Sequence, residues 1–362
     1  MVISAKKRRC ALKKSIQIAG AFVSLVVGAG FASGQEIMQY FTSFGVKSLF
    51  GCIVAGIIFA ILGMILAQIG SDLQTTSHKD GIHYIGGRYF GPVLDLLISF
   101  VLFGIAIVMF AGAGSTFNQM YSIEPSFGSM LMALCVIFTL MLNADSIVKM
   151  IAALTPYLIG IIFILLIYSL FTMDYPISEL SVMANNQRSA ASHWLPGAVL
   201  YVSYNITAGA AMLIVMGGTV TDRKVARRGG ALGGIILGLL ILLINAALFA
   251  KMDVVAGVEM PTLELAKQIH PIAGIIMSVI LLGMIYSTAV GTLYILAVRI
   301  MNPERFLFKL IVIVLCLVGF AISLVGFTTL ISKLYAIMGY LGSVLMIAII
   351  FSSLSNPSRR KK

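Results

Sequence analysis

The stretch Val26-Val27-Gly28-Ala29-Gly30-Phe31-Ala32-Ser33-Gly34-Gln35-Glu36, VVGAGFASGQE, lies inside an apolar run that extends from about residue 16 to about residue 42. Its flanks are those of a membrane-spanning helix, but its centre is not. Each glycine inside a helix costs about 1 kcal/mol relative to alanine, and Gly28, Gly30 and Gly34 fall within seven residues. A carboxylate at that depth is expensive unless it faces a cavity or a partner. If the helix opens here, its freed N–H and C=O groups must be buried in protein or line a cavity, because lipid cannot satisfy them. Such a break offers amides to an anion and carbonyls to a cation. Close packing is the competing reading, since Gly30 and Gly34 form a GxxxG match that draws helices together. Gln35 and Glu36 tip the balance towards a site.

The composition makes lipid the solvent for much of the surface. Hydrophobic residues make up 60% of the 362, the mean hydropathy is +1.04, and only 10% of residues are charged, against roughly 25% in soluble domains. The apolar runs are about 20 residues long, which selects helices over a barrel. Ten such runs are expected, at about 16–42, 47–69, 93–118, 128–143, 147–172, 195–217, 229–251, 271–300, 308–326 and 328–352. Only a tight turn near Gly326 separates the last two, so nine spans is the alternative.

The net charge of +12 follows from orientation in the membrane and gives no sign of nucleic-acid binding. With the N-terminus inside, the external segments hold Lys47, Arg188, Lys251, Lys267 and Lys333, and the other 20 of the 25 Lys and Arg are cytoplasmic. Ten spans with both basic tails (1–15 and 353–362) in the cytoplasm satisfy the positive-inside rule, whereas nine would export the C-terminal Arg359-Arg360-Lys361-Lys362. A cleavable signal ending near Ala32-Ser33-Gly34 is the bland reading of the N-terminus. It is disfavoured because apolar character resumes at Ile37 and its removal spoils the charge balance. The four cysteines show no metal-ligand spacing.

The runs divide near residue 181 into two sets of five, 16–172 and 195–352, which implies an inverted repeat within one membrane domain. A polar linker follows the second run of each half, at 70–92 and 252–270, and each leads to a proline-opened span at Gly91-Pro92 or His270-Pro271. A shift of 177 residues places Gly28 on Asn205, within Tyr201-Val202-Ser203-Tyr204-Asn205-Ile206-Thr207. The repeat therefore predicts a second broken span there. Other polar groups at membrane depth are Asn245 and the cluster Tyr286-Ser287-Thr288. The hydroxyls are hard donors suited to Na+, although their commoner role is a bond to their own helix. Asn245 serves equally well as a bond between helices.

GAGFASGQE and the aromatic end of the first span resemble the signature of the YkvI-type bacterial membrane proteins, which are grouped with amino-acid permeases of the amino acid–polyamine–organocation superfamily. The resemblance covers essentially the whole chain in length and span count. More distantly, the layout resembles the leucine-transporter (LeuT) fold, with five-plus-five inverted spans and spans 1 and 6 broken. That resemblance implies a substrate carboxylate on the amides of Ala29 and Gly30, next to Gly28 and Ser33, with Tyr204, Asn205 and Thr207 opposite. It also implies a sodium site made by Ser24, Val27, Ser287 and Thr288. Phe31 stands where the fold's other sodium site has an asparagine, which speaks against a second sodium despite Asn205 and Asn245.

Glu36 lies about six residues before the outer end of span 1, roughly 9 Å along a helix, so Glu36 and Gln35 are expected at a gate or on a proton path rather than on the substrate. The expected function is a secondary transporter of a small zwitterionic or anionic solute, an amino acid or relative, coupled to Na+ or H+. A solute sensor on the same fold, resembling a germinant-receptor subunit, is the alternative. No resident cofactor, nucleic-acid partner or enzymatic activity is expected: the four histidines lie in or beside loops, and there is no HExxH, GxSxG or Walker motif.

Overall fold

The computed structural model describes residues 2–75, 78–142, 147–302 and 305–355, and these are helical nearly throughout. The first apolar run is three helices rather than one. α1 (Val2–Val26) stops before Gly28, whose backbone is extended at φ −93° and ψ −169°. α2 (Ala29–Ser33) is little more than a turn. Gly34 then takes a left-handed φ of +79°, and α3 (Gln35–Tyr40) starts off the α2 axis. Glycine reaches that conformation at little cost, whereas a Cβ would be strained. The Ser33 hydroxyl accepts the amide of Gln35 at 3.2 Å and donates to the Gly30 carbonyl at 2.7 Å, so it holds an orphan N–H at the restart as a cap does.

The other expected runs are helical as well. α4 (Ser48–Leu73), α5 (His78–Tyr121), α6 (Pro125–Leu142) and α7 (Ile147–Phe171) complete the first half, and α8 (Ile177–Asn185) bridges to the second. There follow α9 (Trp194–Gly218), α10 (Arg223–Ala250), the short α11 (Met252–Val255) and α12 (Pro261–Ile269), then α13 (Pro271–Ile300) and α14 (Phe306–Ser323). α15 (Phe327–Leu330) runs through one π-helical turn into α16 (Ala336–Ser355). Gly326, at φ +99°, separates α14 from α15, so the last two runs are distinct helices. Among the described residues six helices are long and apolar enough to cross a membrane, and Pro125–Met141, Tyr157–Phe171 and Leu307–Ser323 are shorter apolar helices. α4 exposes Leu49, Ile53, Ile57 and Ile61 on one face and buries Cys52, Ala55, Phe59 and Leu62 on another. A helix apolar on its exposed face too needs an apolar solvent. The chain is a multi-pass membrane protein.

The expected break in the sixth run is absent: α9 is continuous through Tyr201–Gly209. Its polar side chains bond backbone carbonyls and do not open it. Ser203 donates to Leu200 O at 2.9 Å and to Gly339 O of α16 at 2.6 Å, Asn205 to Tyr201 O at 3.0 Å, and Thr207 to Ser203 O at 2.7 Å. Such bonds leave the i to i−4 ladder intact, and there is no glycine between Ala198 and Ala208 to weaken it.

The linkers correspond in form. His270 caps α13, its Nδ1 accepting from Ile272 N at 3.2 Å, and Pro271 opens the helix as expected. In the first half the chain bends at Gly87, φ +65°, five residues before the expected Pro92. Gly87 can take a left-handed φ, whereas proline near a helix start needs no break of its own.

α4 and α10 approach to backbone contact. Gly56 faces Gly238, Gly63 faces Gly230, and Gly234 lies against the backbone of Phe59 and Ala60. Gly230, Gly234 and Gly238 recur every four residues, the small-residue pattern that brings membrane helices together.

Candidate functional site

Glu36 is the centre of the site. Because Gly34 turns the chain, α3 does not continue the α2 axis, and the expected position of Glu36, roughly 9 Å short of the outer end of a straight span, does not carry it away from the glycines. Instead its carboxylate folds back against Gly30: a Cβ at Gly30 would overlap it. Glu36 is buried, and its Oε2 accepts a hydrogen bond from Tyr204 Oη of α9 at 2.8 Å. Two negative charges about 4 Å apart repel by roughly 4 kcal/mol at an effective dielectric of 20. An ionised Glu36 therefore works against a second carboxylate at Gly30.

Four tyrosines pack around it. Tyr204 lies 4.7 Å from Tyr335, 5.5 Å from Tyr201 and 5.9 Å from Tyr40 between ring centroids, and Tyr40 lies 5.7 Å from Tyr201. All four are fully buried and within electrostatic reach of Glu36. The hydroxyls of Tyr40 and Tyr201 have no hydrogen-bond partner, nor do the Oε1 atoms of Gln35 and Gln39, all four being buried. Buried polar groups are nearly always paired, so this cluster of unpaired ones beside the break is the candidate site.

The remaining expected residues divide. Gly28 lies beside Thr288 of α13: a Cβ there would meet Thr288 Oγ1 at 3.5 Å. This sets Thr288 beside the first break, with Ser24 and Val27 just before it in sequence. Ser287 donates to Met284 O at 2.9 Å, the local role. Asn205 and Thr207 bond within α9 as described. Asn245 joins helices: its Oδ1 accepts from Thr42 Oγ1 and its Nδ2 donates to Ser48 Oγ, both at 2.9 Å. Tyr286 pairs with Thr139 of α6 at 2.5 Å. Asn245 and Tyr286 thus hold helices together.

Sequence reading missed Gln39, Tyr40, Tyr201 and Tyr335. Tyr40 stands four residues after Glu36 and Tyr201 three before Tyr204, helical spacings that could have marked them; no local pattern leads to Tyr335. The cover over the site was also missed. Every residue from Ala29 to Ser43 is buried. α12 lies over α2, Thr262 Oγ1 donating to Ala32 O at 2.5 Å, and Gln39 Nε2 donates to Thr328 O of α15 at 3.0 Å. Gln119 bonds both Met260 and Glu264. On the other side of the break, Gly20 is exposed and Ala21, Ser24, Leu25, Gly28 and Thr288 are half-buried.

No protein-family model matches the chain. Two Bacillus subtilis (strain 168) proteins do. The uncharacterised membrane protein YkvI is 25% identical over 334 residues, 90% of this chain and 92% of its own. The uncharacterised protein YyaD is 27% identical over 342 residues, 94% and 96% of the two chains. Among solved structures, the inward-facing conformation of Mhp1 superimposes with a TM-score of 0.67 at 15% identity, over 96% of this chain and 78% of that one. MhsT in complex with L-phenylalanine gives 0.60 at 16% identity, over 93% and 87%. A Na+-coupled sialic acid symporter in a substrate-bound outward-open state gives 0.58 at 15% identity, over 96% and 84%. The chain is homologous to the YkvI and YyaD membrane proteins of B. subtilis and has the LeuT fold.

Proposed function

We propose that this protein is a secondary transporter of a small solute, of amino-acid size, working by alternating access around the break in the first span. The observation that carries this reading is the interruption of that span at Gly28 and Gly34, with Glu36 and unpaired polar groups gathered beside it. The fold is shared with a Na+-coupled symporter, which supports the same reading. With ten spans in a five-plus-five inverted repeat and both termini cytoplasmic, α12 and α15 cover the site from outside. The half-buried positions around Ser24, Gly28 and Thr288 then lead inwards. Uptake of radiolabelled solutes into proteoliposomes tests transport; saturable binding without uptake favours the sensor.

The orientation has its own test. In a cysteine-free background carrying E124C or D222C, a membrane-impermeant maleimide added to whole cells is expected to label E124C and leave D222C unreacted. The reverse pattern overturns the orientation.

Thr288 is the proposed hydroxyl ligand of a coupling Na+, shared with the Val27 carbonyl and Ser24. Ser287 contributes less: Thr288 is the hydroxyl set beside Gly28, whereas Ser287 is buried with its hydroxyl turned to Met284 O of its own helix. Replacing choline by Na+ is expected to raise the melting temperature of the purified protein. Thr288→Ala should remove roughly half or more of that increase and Ser287→Ala less. A wild-type protein indifferent to Na+ but responsive to pH makes the hydroxyls structural and the coupling ion a proton.

A further inference from the structure

We propose that Glu36 and the ring of Tyr40, Tyr201, Tyr204 and Tyr335 bind the cationic end of the solute, so that the protein selects amine-bearing compounds and rejects carboxylates that lack an amine. The proposal rests on the transporter reading for its site and adds which side chains of this chain hold the amine of the solute.

The argument starts from charge. The anion position beside the break is taken by the chain's own carboxylate, set against Gly30. Among the described residues the paired cations are elsewhere: Arg223 on Asp72, Lys251 on Asp174, Lys267 on Glu264 and Arg299 on Asp95. Glu36 accepts from the Tyr204 hydroxyl at 2.8 Å, with the Tyr201 hydroxyl also directed at it. A buried carboxylate is ordinarily paired with a cation, and among the described residues none forms an ion pair with Glu36.

The unpaired atoms agree. Gln39 donates its amide to Thr328 O, which fixes its orientation and leaves Oε1 as an acceptor. Gln35 Oε1 is a second buried acceptor without a donor, and the Tyr40 and Tyr201 hydroxyls, also unpartnered, can accept as well. An ammonium group carries three donors and no acceptor, so it is the group whose hydrogen-bonding needs complement this set. Tyrosine faces attract a cation through their ring quadrupole, and the four packed rings keep water from the carboxylate. A carboxylate ligand would meet mainly acceptors and a like charge.

Three compounds of one skeleton test this on the purified full-length protein: L-leucine, 3-methylbutylamine and 4-methylpentanoate. L-Phenylalanine, 2-phenylethylamine and 3-phenylpropanoate form a second set. Thermal shift and calorimetry are expected to show binding by amine-bearing members of at least one set and none by the deaminated members. Glu36→Gln should weaken amine binding by about 100-fold or more. Glu36→Asp keeps the charge and should lose less, which guards against a misfolded Gln variant. Binding of a deaminated member as tight as its amine, undiminished amine binding by Glu36→Gln, or no amine binding in either set overturns the proposal. Proteoliposome uptake separates its failure from that of the transporter reading. Uptake of a solute without an amine leaves transport standing and removes the cation site. Amine binding without uptake keeps the cation site and makes the protein a sensor.

Discussion

Gly30→Val is expected to abolish solute binding while leaving a folded protein. A Cβ at this position would overlap the Glu36 carboxylate, so the carboxylate must swing away and lose its bond from Tyr204. Hydrogen bonds to charged groups contribute about 1.5–3 kcal/mol, and overpacking adds about 1–3 kcal/mol. Together these predict a loss of roughly 100-fold or more in affinity, measured by calorimetry with whichever compound binds the wild type. Gly30→Ala introduces the same clash with fewer atoms and should fall between the two. If Gly30→Val binds normally and only lowers stability, Gly30 serves packing and the solute sits elsewhere.

Gly234→Leu is expected to prevent folding altogether. At this point α10 touches the backbone of Phe59 and Ala60 in α4, so a new side chain has no flexible neighbour to displace and the helices must part. Parting them also separates Gly230 from Gly63 and Gly238 from Gly56. The measurement is recovery of monodisperse protein after membrane extraction: Gly234→Leu should yield none. Gly234→Ala should fold with a melting temperature lower by roughly 5–10 °C, from the usual overpacking cost. Ile235, next in sequence but 60% exposed, supplies the control, and Ile235→Leu should leave the melting temperature unchanged. A well-folded Gly234→Leu means that α4 and α10 do not pack this way.

Long apolar runs separated by polar breaks made the helices legible, because a membrane requires each crossing segment to satisfy its backbone internally. The turn at Gly326 and the cap at His270 were equally local matters, set by one glycine and one His-Pro pair. The break after Val26 was legible for the same reason, since glycine weakens a helix wherever it stands. α9 shows the limit of that reasoning. Polar residues looked like a second interruption, but each side chain found a carbonyl one turn back, and whether a hydroxyl bonds inwards or outwards is not written in its spacing.

The site was half legible. Glycines beside a buried carboxylate marked where to look, and the local sequence determined that much. The position of Glu36 was misjudged because a distance along a helix holds only while the helix is straight, and Gly34 turns it. Only the tertiary structure brought Tyr335, from the far end of the chain, to the ring of Tyr204, laid Thr262 over Ala32 and set Thr288 beside Gly28. Those contacts join residues 131, 230 and 260 apart (335−204, 262−32 and 288−28), and their existence depends on how whole helices pack, which no local spacing encodes.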